Sequence, residues 1–367
     1  MARAAIADPQ GYLGELMNFA SDNAAAVAPE ILAAITAANE GSALAYGNDV
    51  VTRRVEQRFA ELFEHEAAVF LVPTGTAANA LAIAHLAPPW GAVLCHAEAH
   101  IATDECGAPE FFGGGIKLIG LPGEGCKIAP ATFEASLAQG QWGGPHHVSP
   151  AVLSLSQATE AGTIYRPAEV RALADIAHAR GLGVHMDGAR LANAIARLNA
   201  SPAEATWKAG VDVLSFGATK GGALAAEAVI FFEPTRAAGM QERRKRAGHL
   251  VSKHRFVAAQ MEAFLADDLW LRLARHANAM ADRLGEGLTA AGYAPAWPVE
   301  ANEVFVTLPQ AICERLQRAG ATFYPWTSDS LPKARTARAG GNMIRLVCSF
   351  ATEAAEVDRF LATVKSR

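Results

Sequence analysis

The chain has 367 residues, of which 51% are hydrophobic and 19% charged, a composition typical of a folded globular protein rather than a disordered one. Its formal net charge of −5 argues against nucleic acid as a main partner. No apolar run approaches the roughly 20 residues of a membrane-spanning helix, and Met1–Pro9 has no apolar stretch suited to a signal peptide. The five cysteines form no CxxC pair, so we expect reduced thiols in a cytoplasmic protein.

Helical and strand-like segments alternate from about residue 50 to residue 232. Apolar residues at helical spacing predict an amphipathic helix over Thr52–Phe63. A second helix is predicted over Pro167–Arg180, with a proline near its start and a glycine just past its end. Short apolar runs predict strands at 67–71, 92–95, 116–119, 151–156, 182–186, 211–215 and 228–232. This alternation indicates an α/β fold, with a mainly parallel sheet covered by helices on both faces.

After Glu233 the pattern changes. A long helical stretch is predicted from about Met240 to Arg283, followed by strands at 304–308 and 343–347 and a helix from Thr352. We therefore expect a large domain over residues 18–265 and a smaller α+β C-terminal domain over residues 266–367. The N-terminal segment, residues 1–40, is a candidate to pack against the small domain.

Lys220 is the most informative residue of the chain. It follows an apolar strand and lies among small residues in Ser215–Gly222. Burial of such a lysine disfavours its charged form and makes the amine a nucleophile toward a carbonyl. Taken alone, a lysine in a glycine-rich loop is more often a surface residue. A second feature is needed to decide between these readings.

That second feature is Asp187, which ends another apolar strand 33 residues before Lys220. In open α/β sheets, ligands bind beyond the carboxyl ends of the strands, and both residues occupy such positions. Pyridoxal 5′-phosphate (PLP) requires a lysine for a Schiff base and a carboxylate for its pyridinium nitrogen. The pair therefore predicts a PLP site.

A phosphate site is predicted where a strand gives way to a helix in Pro73–Asn79. Gly75 and Thr76 offer free backbone N–H groups and a hydroxyl at a helix N-terminus. Thr-Gly-Thr is also a good capping sequence, so the signal is weak by itself. Ser215 and Thr219, near the lysine, could add hydroxyl contacts to the same phosphate.

Two further side chains are candidates for the site. His100 follows a strand and is either structural or a ring stacked on the cofactor; His96 and His100 have no third ligand in register, so no metal site is expected. Arg345 lies inside an apolar strand, where its charge is costly unless paired. Either an internal salt bridge or a bidentate contact with a substrate carboxylate would satisfy it.

Together these segments resemble the PLP-dependent threonine aldolases of the aspartate-aminotransferase-like fold, fold type I. The most specific pieces are His185–Ala194 and Ser215–Lys220. Supporting pieces are Ser21–Asp22, Tyr46–Asp49, Pro73–Asn79 and Ile344–Val347. The resemblance implies a low-specificity enzyme that cleaves L-threonine or related L-β-hydroxy-α-amino acids to glycine and an aldehyde by retro-aldol chemistry.

The resemblance also implies roles for the candidate residues around the cofactor. Lys220 would hold PLP, Asp187 would keep the pyridine nitrogen protonated, and His100 would stack on the ring. Gly75 and Thr76 would hold the phosphate.

Other implied roles concern the substrate and a neighbouring subunit. Ser21, Arg190 and Arg345 would face the substrate carboxylate or the phenolate oxygen of the cofactor. Tyr46 and Arg255 would come from a second copy of the chain. A homodimer or homotetramer with shared active sites is therefore expected.

One stretch departs from the family. Many members carry Glu-Asn-Thr-His where this chain reads Gln157–Glu160, so Glu160 stands in place of a histidine that approaches the substrate hydroxyl. The proton acceptor could be Glu160, His100 or water, and the preferred substrate could be threonine, allo-threonine or phenylserine. A β-eliminating or serine hydroxymethyltransferase-like lyase remains an alternative. A non-enzymatic binding protein is a further one, although such a protein would be expected to lose Lys220 or Asp187.

Overall fold

The computed structural model describes residues 16–327, 329 and 341–366. Residues 1–15, the first part of the predicted N-terminal segment, lie outside the described residues. The strands are β1 (Met17–Asn18), β2 (Ala68–Val72), β3 (Gly91–His96), β4 (Lys117–Leu121), β5 (Ser149–Ser156), β6 (Gly183–Gly188), β7 (Val213–Gly217), β8 (Glu227–Phe231), β9 (Glu303–Pro309), β10 (Ala321–Thr322), β11 (Tyr324–Pro325) and β12 (Gly341–Val347).

The α-helices lie between these strands and after them. They are α1 (Pro29–Ala37), α2 (Val50–Phe63), α3 (Gly75–Leu86), α4 (His100–Thr103), α5 (Ala108–Phe112), α6 (Pro130–Gln139), α7 (Pro167–Ala179), α8 (Leu191–Arg197), α9 (Pro202–Ala205), α10 (Met240–Arg246), α11 (Arg255–Leu265), α12 (Leu269–Ala290), α13 (Gln310–Arg318) and α14 (Ala354–Lys365). None of the helices in the described ranges is long and apolar enough to cross a membrane.

The main sheet has the strand order β2-β8-β7-β6-β5-β3-β4. The pairs β3–β4, β3–β5, β5–β6 and β6–β7 are parallel, whereas β8 is antiparallel to both of its neighbours, β2 and β7. All residues of β3, β6 and β7 are buried, which explains why these strands read as continuous apolar runs rather than alternating ones. The predicted mainly parallel α/β sheet is confirmed.

The sheet brings several chain segments to one edge. Asp187 at the end of β6 is in register with Ser156, the last residue of β5, and with Ser215 of β7. Strand β2 is also parallel to β7, because β8 runs antiparallel to both. The segments that follow β2, β3, β5, β6 and β7 therefore begin at the same edge, the usual place for a ligand in such sheets.

A second, smaller sheet lies in the C-terminal part of the chain, with the antiparallel order β11-β12-β9. Its core contains Val306 and Phe360, and the N-terminal residues Met17 and Phe19 belong to the same core. Strand β1 pairs in parallel with β10. The long helix α12 joins the two cores, because its first turns pack in the large core and its last turns in the small one.

The predicted long helical stretch from Met240 to Arg283 is wrong as a single element. The chain forms α10, α11 and α12 instead, with breaks around Gly248 and at Asp267 and Asp268. Gly248 has φ 80°, and the two aspartates have φ 49° and 53°. A residue in this left-handed region cannot continue a right-handed helix. Non-glycine residues rarely adopt it, so the second break left little sign in the sequence.

Candidate active site

Lys220 lies in the loop between β7 and β8. Glu227, the first residue of β8, accepts a hydrogen bond from the Ala218 amide at 3.1 Å. Gln260 of α11 accepts from the amides of Leu224 and Ala225 at 3.0 and 2.9 Å. Two buried side chains thus hold the loop from both ends. Within the described ranges, the Lys220 ammonium has no hydrogen-bond or ion-pair partner.

Asp187 ends β6 and is 7% exposed. Its Oδ1 accepts from the Ala189 amide at 3.0 Å, and its Oδ2 from the Asn79 side-chain amide at 2.8 Å. Burial acts to raise the pKa of this carboxyl, but the positive charge of Lys220, followed by that of His100, holds it below its ordinary value. Asp187 is therefore an ionised carboxylate, as a partner of a protonated pyridine nitrogen must be.

The N-terminus of α3 lies at the same edge of the sheet. Thr74 caps the helix, because its hydroxyl oxygen accepts from the Ala77 amide at 3.1 Å. Gly75 and Thr76 follow as the first helical residues, whose N–H groups have no partner within the helix. A Cβ added at Gly75 would meet nothing within 4 Å. The helix end is thus open to an anion, and Asn79, which contacts Asp187, lies about 6 Å further along the helix axis.

His100 is the first residue of α4, and its side chain is 40% exposed. Its Nδ1 lies 2.9 Å from Oε1 of Glu105, whose side chain is fully buried. The hydrogen bond to Glu105 is the main cause that raises the pKa of His100, and the charge of Asp187 adds to it. The ring is therefore anchored through one nitrogen while part of its surface stays accessible.

Glu160 lies in the segment after β5. Its Oε1 accepts from the Ser156 hydroxyl at 2.6 Å and from the His100 amide at 2.9 Å. Its Oε2 is buried without a hydrogen-bond partner among the described residues. Burial raises the pKa of this carboxyl to about 7. Glu160 can therefore exchange a proton near neutral pH, and it presents one oxygen that the protein leaves free.

Arg190 is held by carboxylates of the chain itself. Its Nε and Nη2 donate to Asp22 at 2.8 and 3.1 Å, and its Nη1 lies 3.4 Å from Glu303. Both acidic side chains are 1% exposed. Burial would raise the pKa of Asp22, but Arg190 and then Lys220 keep it lowered. This ion pair fastens the N-terminal segment to the edge of the main sheet.

Arg345 lies in β12 and reaches the same N-terminal segment. Its Nη2 donates to the carbonyl of Ala20 at 3.3 Å. The guanidinium lies 4.8 Å from the ring centre of Trp326 and 5.9 Å from that of Tyr324. No carboxylate of the described residues pairs with it, and its Nε is buried without a partner there. The sequence left two possibilities for Arg345, an internal salt bridge and a contact with a substrate carboxylate. The described residues do not form the internal salt bridge.

Ser21 directly follows Ala20, the residue whose carbonyl accepts from Arg345. Its hydroxyl oxygen accepts from the Asn23 amide at 3.1 Å. Because Asp22 is held by Arg190 and Ala20 by Arg345, Ser21 is fixed between the two arginines.

The two hydroxyls predicted beside Lys220 have partners within the protein. The Ser215 hydroxyl lies 2.9 Å from Nε2 of His185, whose Nδ1 lies 2.9 Å from the Ser154 hydroxyl. Burial lowers the pKa of His185 to about 4, so this ring is neutral. Thr219 accepts from the Ala226 amide at 3.3 Å. If Ser215 or Thr219 contacts a phosphate, that contact would be made in addition to these hydrogen bonds within the protein.

Tyr46 and Arg255 are not brought to Lys220 or Asp187 by any contact within the described ranges. Arg255 donates to the carbonyls of Glu40 and Gly41 at 3.3 and 3.1 Å. Tyr46 has φ 60° and is 46% exposed. Both lie on the surface, where a second chain could reach them.

A group of possible metal ligands lies near the site. His96, Glu98 and Cys126 bring ligand atoms within 4.8 Å of one another. The ring of His96 is already used, because its Nε2 lies 3.1 Å from the Gly123 carbonyl and its Nδ1 accepts from the Glu98 amide at 3.1 Å. This group differs from the pair of His96 with His100 considered from the sequence, because it does not contain His100.

Asn79 and Glu105 link Asp187 to His100, and the sequence did not indicate this link. No spacing along the chain shows that these two residues meet. Glu105 is five residues after His100, outside the i+3 and i+4 neighbours of a helix. The chain leaves the helix at Asp104, which has φ −127° and ψ 13°, and this turn brings Glu105 back to His100. Glu227 lies one residue before the predicted strand 228–232, and nothing in the sequence pointed to it.

Known proteins of one family match most of this chain in sequence. The sequence model of the beta-eliminating lyase family matches residues 18–311. The chain is 41% identical over 349 residues to the low specificity L-threonine aldolase of a Pseudomonas species, covering 95% of this chain and 97% of that protein. It is 44% identical over 336 residues to the enzyme of the same name from Pseudomonas aeruginosa, covering 91% and 93%.

Solved structures show the same fold. The threonine aldolase of Leishmania major superposes with a TM-score of 0.87 at 29% identity, covering 95% of this chain and 98% of that one. The serine palmitoyltransferase of Sphingomonas wittichii superposes with a TM-score of 0.69 at 16% identity, covering 95% and 86%. At that identity the second likeness concerns the fold alone, which is fold type I.

Proposed function

The chain belongs to the beta-eliminating lyase family and, within it, to the threonine aldolases, which are carbon–carbon lyases, and on this premise we propose that it cleaves L-threonine and related L-β-hydroxy-α-amino acids to glycine and an aldehyde. The observation that carries the proposal is the convergence at one edge of the sheet of the ionised Asp187 and of Lys220, which has no hydrogen-bond or ion-pair partner among the described residues. The identity of 41–44% to two low specificity L-threonine aldolases supports it.

PLP is the cofactor that this site fits. Lys220 would bind it covalently, Asp187 would hold its ring nitrogen protonated, and the open N-terminus of α3 at Gly75 and Thr76 would hold its phosphate. When bound, PLP supplies an electron sink for the electron pair of a cleaved bond at the α-carbon of an amino acid. The accessible part of the His100 ring would pack against the cofactor.

We assign the substrate carboxylate to Arg345 and Ser21. The guanidinium of Arg345 has no carboxylate partner among the described residues, and a substrate carboxylate would provide one. Fixing the carboxylate sets which bond of the α-carbon stands perpendicular to the cofactor ring, and thus which bond breaks. Arg190 already contacts the carboxylates of Asp22 and Glu303. Any contact of Arg190 with substrate or cofactor would therefore be made in addition to its ion pair with Asp22.

Glu160 is our candidate for the group that accepts the proton of the substrate β-hydroxyl. Cleavage of the carbon–carbon bond requires this proton to leave as the aldehyde forms. The free Oε2 of Glu160 is the acceptor that the geometry offers, and a pKa of about 7 suits an acid–base group at neutral pH. Its Oε1 is meanwhile fixed by Ser156 and by the His100 backbone.

We further propose that the active sites are shared between two copies of the chain. Large apolar side chains are exposed around the Lys220 loop and the segments packed on it, namely Leu32, Leu44, Tyr46, Val50 and Leu224. Exposed apolar surface of this kind is typical of a protein interface. A partner seated there would place Tyr46 and Arg255 beside the other copy's site.

The proposal is tested by incubating the PLP-loaded protein with L-threonine, L-allo-threonine and L-phenylserine. Glycine and the matching aldehyde are expected. 2-Oxobutanoate from either threonine, or phenylpyruvate from phenylserine, together with ammonia would instead indicate β-elimination and contradict the proposal.

Lys220→Ala should abolish both the visible absorption of the bound cofactor and turnover, because the covalent attachment is lost. Lys117→Ala, on the exposed side of β4, is the matched control and should retain both. A Lys220→Ala protein that stays yellow and active would refute the assignment of the lysine.

A further inference from the structure

We propose that Glu105 is a positioning residue of this site, which holds the imidazole of His100 and, through Asn79, the carboxylate of Asp187. The inference rests on the proposed function, because His100 and Asp187 are the groups that would contact the cofactor ring. Glu105 lies in the turn after α4 with its side chain fully buried. Neither the sequence pattern nor the family resemblance indicated a role for it.

Asn79 is the link between the two carboxylates. Its side-chain nitrogen lies 2.8 Å from Oε1 of Glu105 and 2.8 Å from Oδ2 of Asp187. An amide nitrogen carries two hydrogens, so it can satisfy both acceptors at once. Because both neighbours are carboxylate oxygens, the nitrogen and not the oxygen of the amide must face them. Asn79 therefore sets the distance between Glu105 and Asp187.

The contact between Glu105 and His100 selects the tautomer and the orientation of the imidazole ring. Oε1 of Glu105 accepts from the Nδ1–H of His100 at 2.9 Å, so the neutral ring carries its hydrogen on Nδ1 and its lone pair on Nε2. Glu105 thereby determines both the plane of the ring and which nitrogen faces the open site. The helix that carries His100 has only four residues, so side-chain anchoring is needed to fix the ring.

Burial of the Glu105 carboxyl costs free energy of folding. Burial raises the pKa of Glu105, and its Oε2 has no hydrogen-bond partner among the described residues. A buried carboxyl with one unsatisfied oxygen is destabilising. A glutamine would keep an acceptor oxygen for Asn79 and His100 without a buried group that can be charged. The retained carboxyl is explained if it serves the two groups that it orders.

The titration of His100 reports this arrangement. The charged groups that face His100 are Glu105 from its own turn, Asp187 from β6 and Lys220 from the loop after β7, and Glu160 at its backbone amide. Glu105 and Asp187 favour the protonated ring, whereas Lys220 disfavours it. Loss of the Glu105 charge should therefore lower the pKa of His100.

The experiment compares Glu105→Gln with the unaltered protein, both free of cofactor. The imidazole ¹⁵N resonances of His100, identified by their absence in His100→Asn, are followed as a function of pH. In Glu105→Gln the pKa of His100 should fall by about one unit or more, as expected on loss of an adjacent opposite charge. In the PLP-loaded protein, the circular dichroism of the bound cofactor should weaken and its dissociation constant should rise about tenfold.

Asp104→Asn is the matched control. Asp104 is the neighbour of Glu105, and its exposed carboxylate accepts from the Thr103 hydroxyl. If only the general charge of the turn mattered, both variants would shift His100 equally, and the inference would be overturned. Glu105→Asp keeps the charge on a shorter side chain and should lower the pKa of His100 by less than Glu105→Gln does. An unchanged His100 titration in both Glu105 variants would also overturn it.

Failure of the inference and failure of the proposed function remain distinguishable. The titration of His100 uses protein without cofactor or substrate, so it does not depend on which reaction is catalysed. If the unaltered protein did not cleave threonine but His100 shifted as expected, the positioning role would stand and the substrate assignment would fall. If the unaltered protein cleaved threonine and His100 did not shift, the reverse would hold.

Discussion

The two carboxylate oxygens of Glu160 have different surroundings. One accepts from Ser156 and from the backbone of His100, and the other has no hydrogen-bond partner among the described residues. A histidine at this position, as in the family pattern, would offer nitrogens instead. The burial that raises the pKa of Glu160 to about 7 gives the carboxyl a proton affinity similar to that of an ordinary histidine.

Glu160→Gln tests this role. The glutamine amide can still accept from Ser156 and His100 but cannot take a proton. We expect kcat for L-threonine cleavage to fall by about 10²–10⁴-fold, with KM and the cofactor spectrum little changed. A fall of less than about threefold would exclude Glu160 as the main proton acceptor, since general base catalysis contributes far more than that.

The pH profile of the unaltered protein gives a second measurement at the same residue. Glu160 accepts a proton only when ionised, so kcat/KM should rise with pH through about 7. The Ser156 hydroxyl bond lowers the pKa of Glu160 against the effect of burial. Ser156→Ala should therefore move the rising limb to higher pH. A limb that stays in place would contradict the assignment.

At the scale of elements, the proposed attachment of the cofactor depends on the conformation of the loop between β7 and β8. It carries Lys220, yet it is held by side chains from outside it, Glu227 and Gln260. Glu227 is 6% exposed, and burial raises the pKa of its carboxyl to about 7 against the hydrogen bonds that it accepts from Thr219 and Ala218. The folded protein therefore binds this proton more tightly than the unfolded chain does.

The Glu227 carboxyl should make stability depend on pH. Its contribution is fully present below about pH 4.5 and is lost as pH rises through about 7, because the folded state must then hold a buried charge. At about 1.4 kcal/mol per pKa unit, the loss approaches roughly 3 kcal/mol. Glutamine has nearly the same shape and no charge, so Glu227→Gln should lose less stability between pH 5 and pH 8.

Denaturant unfolding of the cofactor-free protein at pH 5 and pH 8 measures this difference. Glu160 contributes with the same sign in both proteins, so the comparison between variants isolates Glu227. If the free energies of unfolding of the two proteins fall in parallel, Glu227 does not titrate in this range. Gln260→Ala is the companion variant, since it loosens the other end of the loop without changing the charge.

At the scale of the whole molecule, the site depends on parts of the chain that are far apart in sequence. Arg190 pairs with Asp22 across 168 positions, and Arg345 reaches Ala20 across 325. The N-terminal segment thus lies between the main sheet and the C-terminal sheet, whose core it shares through Phe19. Movement between these parts would alter the space around Arg345 and Ser21, where we propose that the substrate carboxylate binds.

If the active sites are shared between two chains as proposed, mixed assemblies of two variants should regain activity. Lys220→Ala and Arg255→Ala should each lose most activity when pure, the first through loss of the cofactor bond and the second through loss of the partner's cation. In a mixed dimer, one site carries both changes and the other carries neither. Co-expression with two affinity tags should therefore restore about half of the normal activity per isolated mixed dimer, as simple site counting requires.

A mixed dimer that remains as inactive as its parents would contradict shared sites. Mixing two copies of Lys220→Ala that carry different tags is the control, and it should stay inactive. Light scattering of the unaltered protein measures the assembly itself, for which two or four chains are expected.

Much of the fold was predictable because its signals are local. Predicted strands such as 92–95 and 182–186 lie within the observed β3 and β6 almost entirely, since fully buried parallel strands need uninterrupted apolar residues. The break at Asp267 and Asp268 was not predictable, because nothing in their side chains demands a positive φ.

The candidate site was predictable in part for the same reason. Lys220, Asp187 and Gly75 stand out because each follows a strand end and differs in chemistry from its neighbours. Asn79 and Glu105 do not stand out, since an asparagine in a helix and a glutamate in a turn are ordinary. Their roles arise from contacts across 26 and 108 positions.

The sequence by itself determined the fold type, the family and the residues able to carry chemistry, because apolar periodicity and residue type are properties of short stretches of chain. Only the tertiary structure decided how the charged groups are paired: Arg190 with Asp22, and His100 with Glu105. These pairings depend on the register of the sheet and on the turns beyond its edge, which place side chains from distant segments within 3 Å of one another. Because Coulomb and hydrogen-bond energies depend steeply on such distances, this geometry determines which charged groups are paired, whereas Lys220 has no hydrogen-bond or ion-pair partner in the part of the chain that the structure describes.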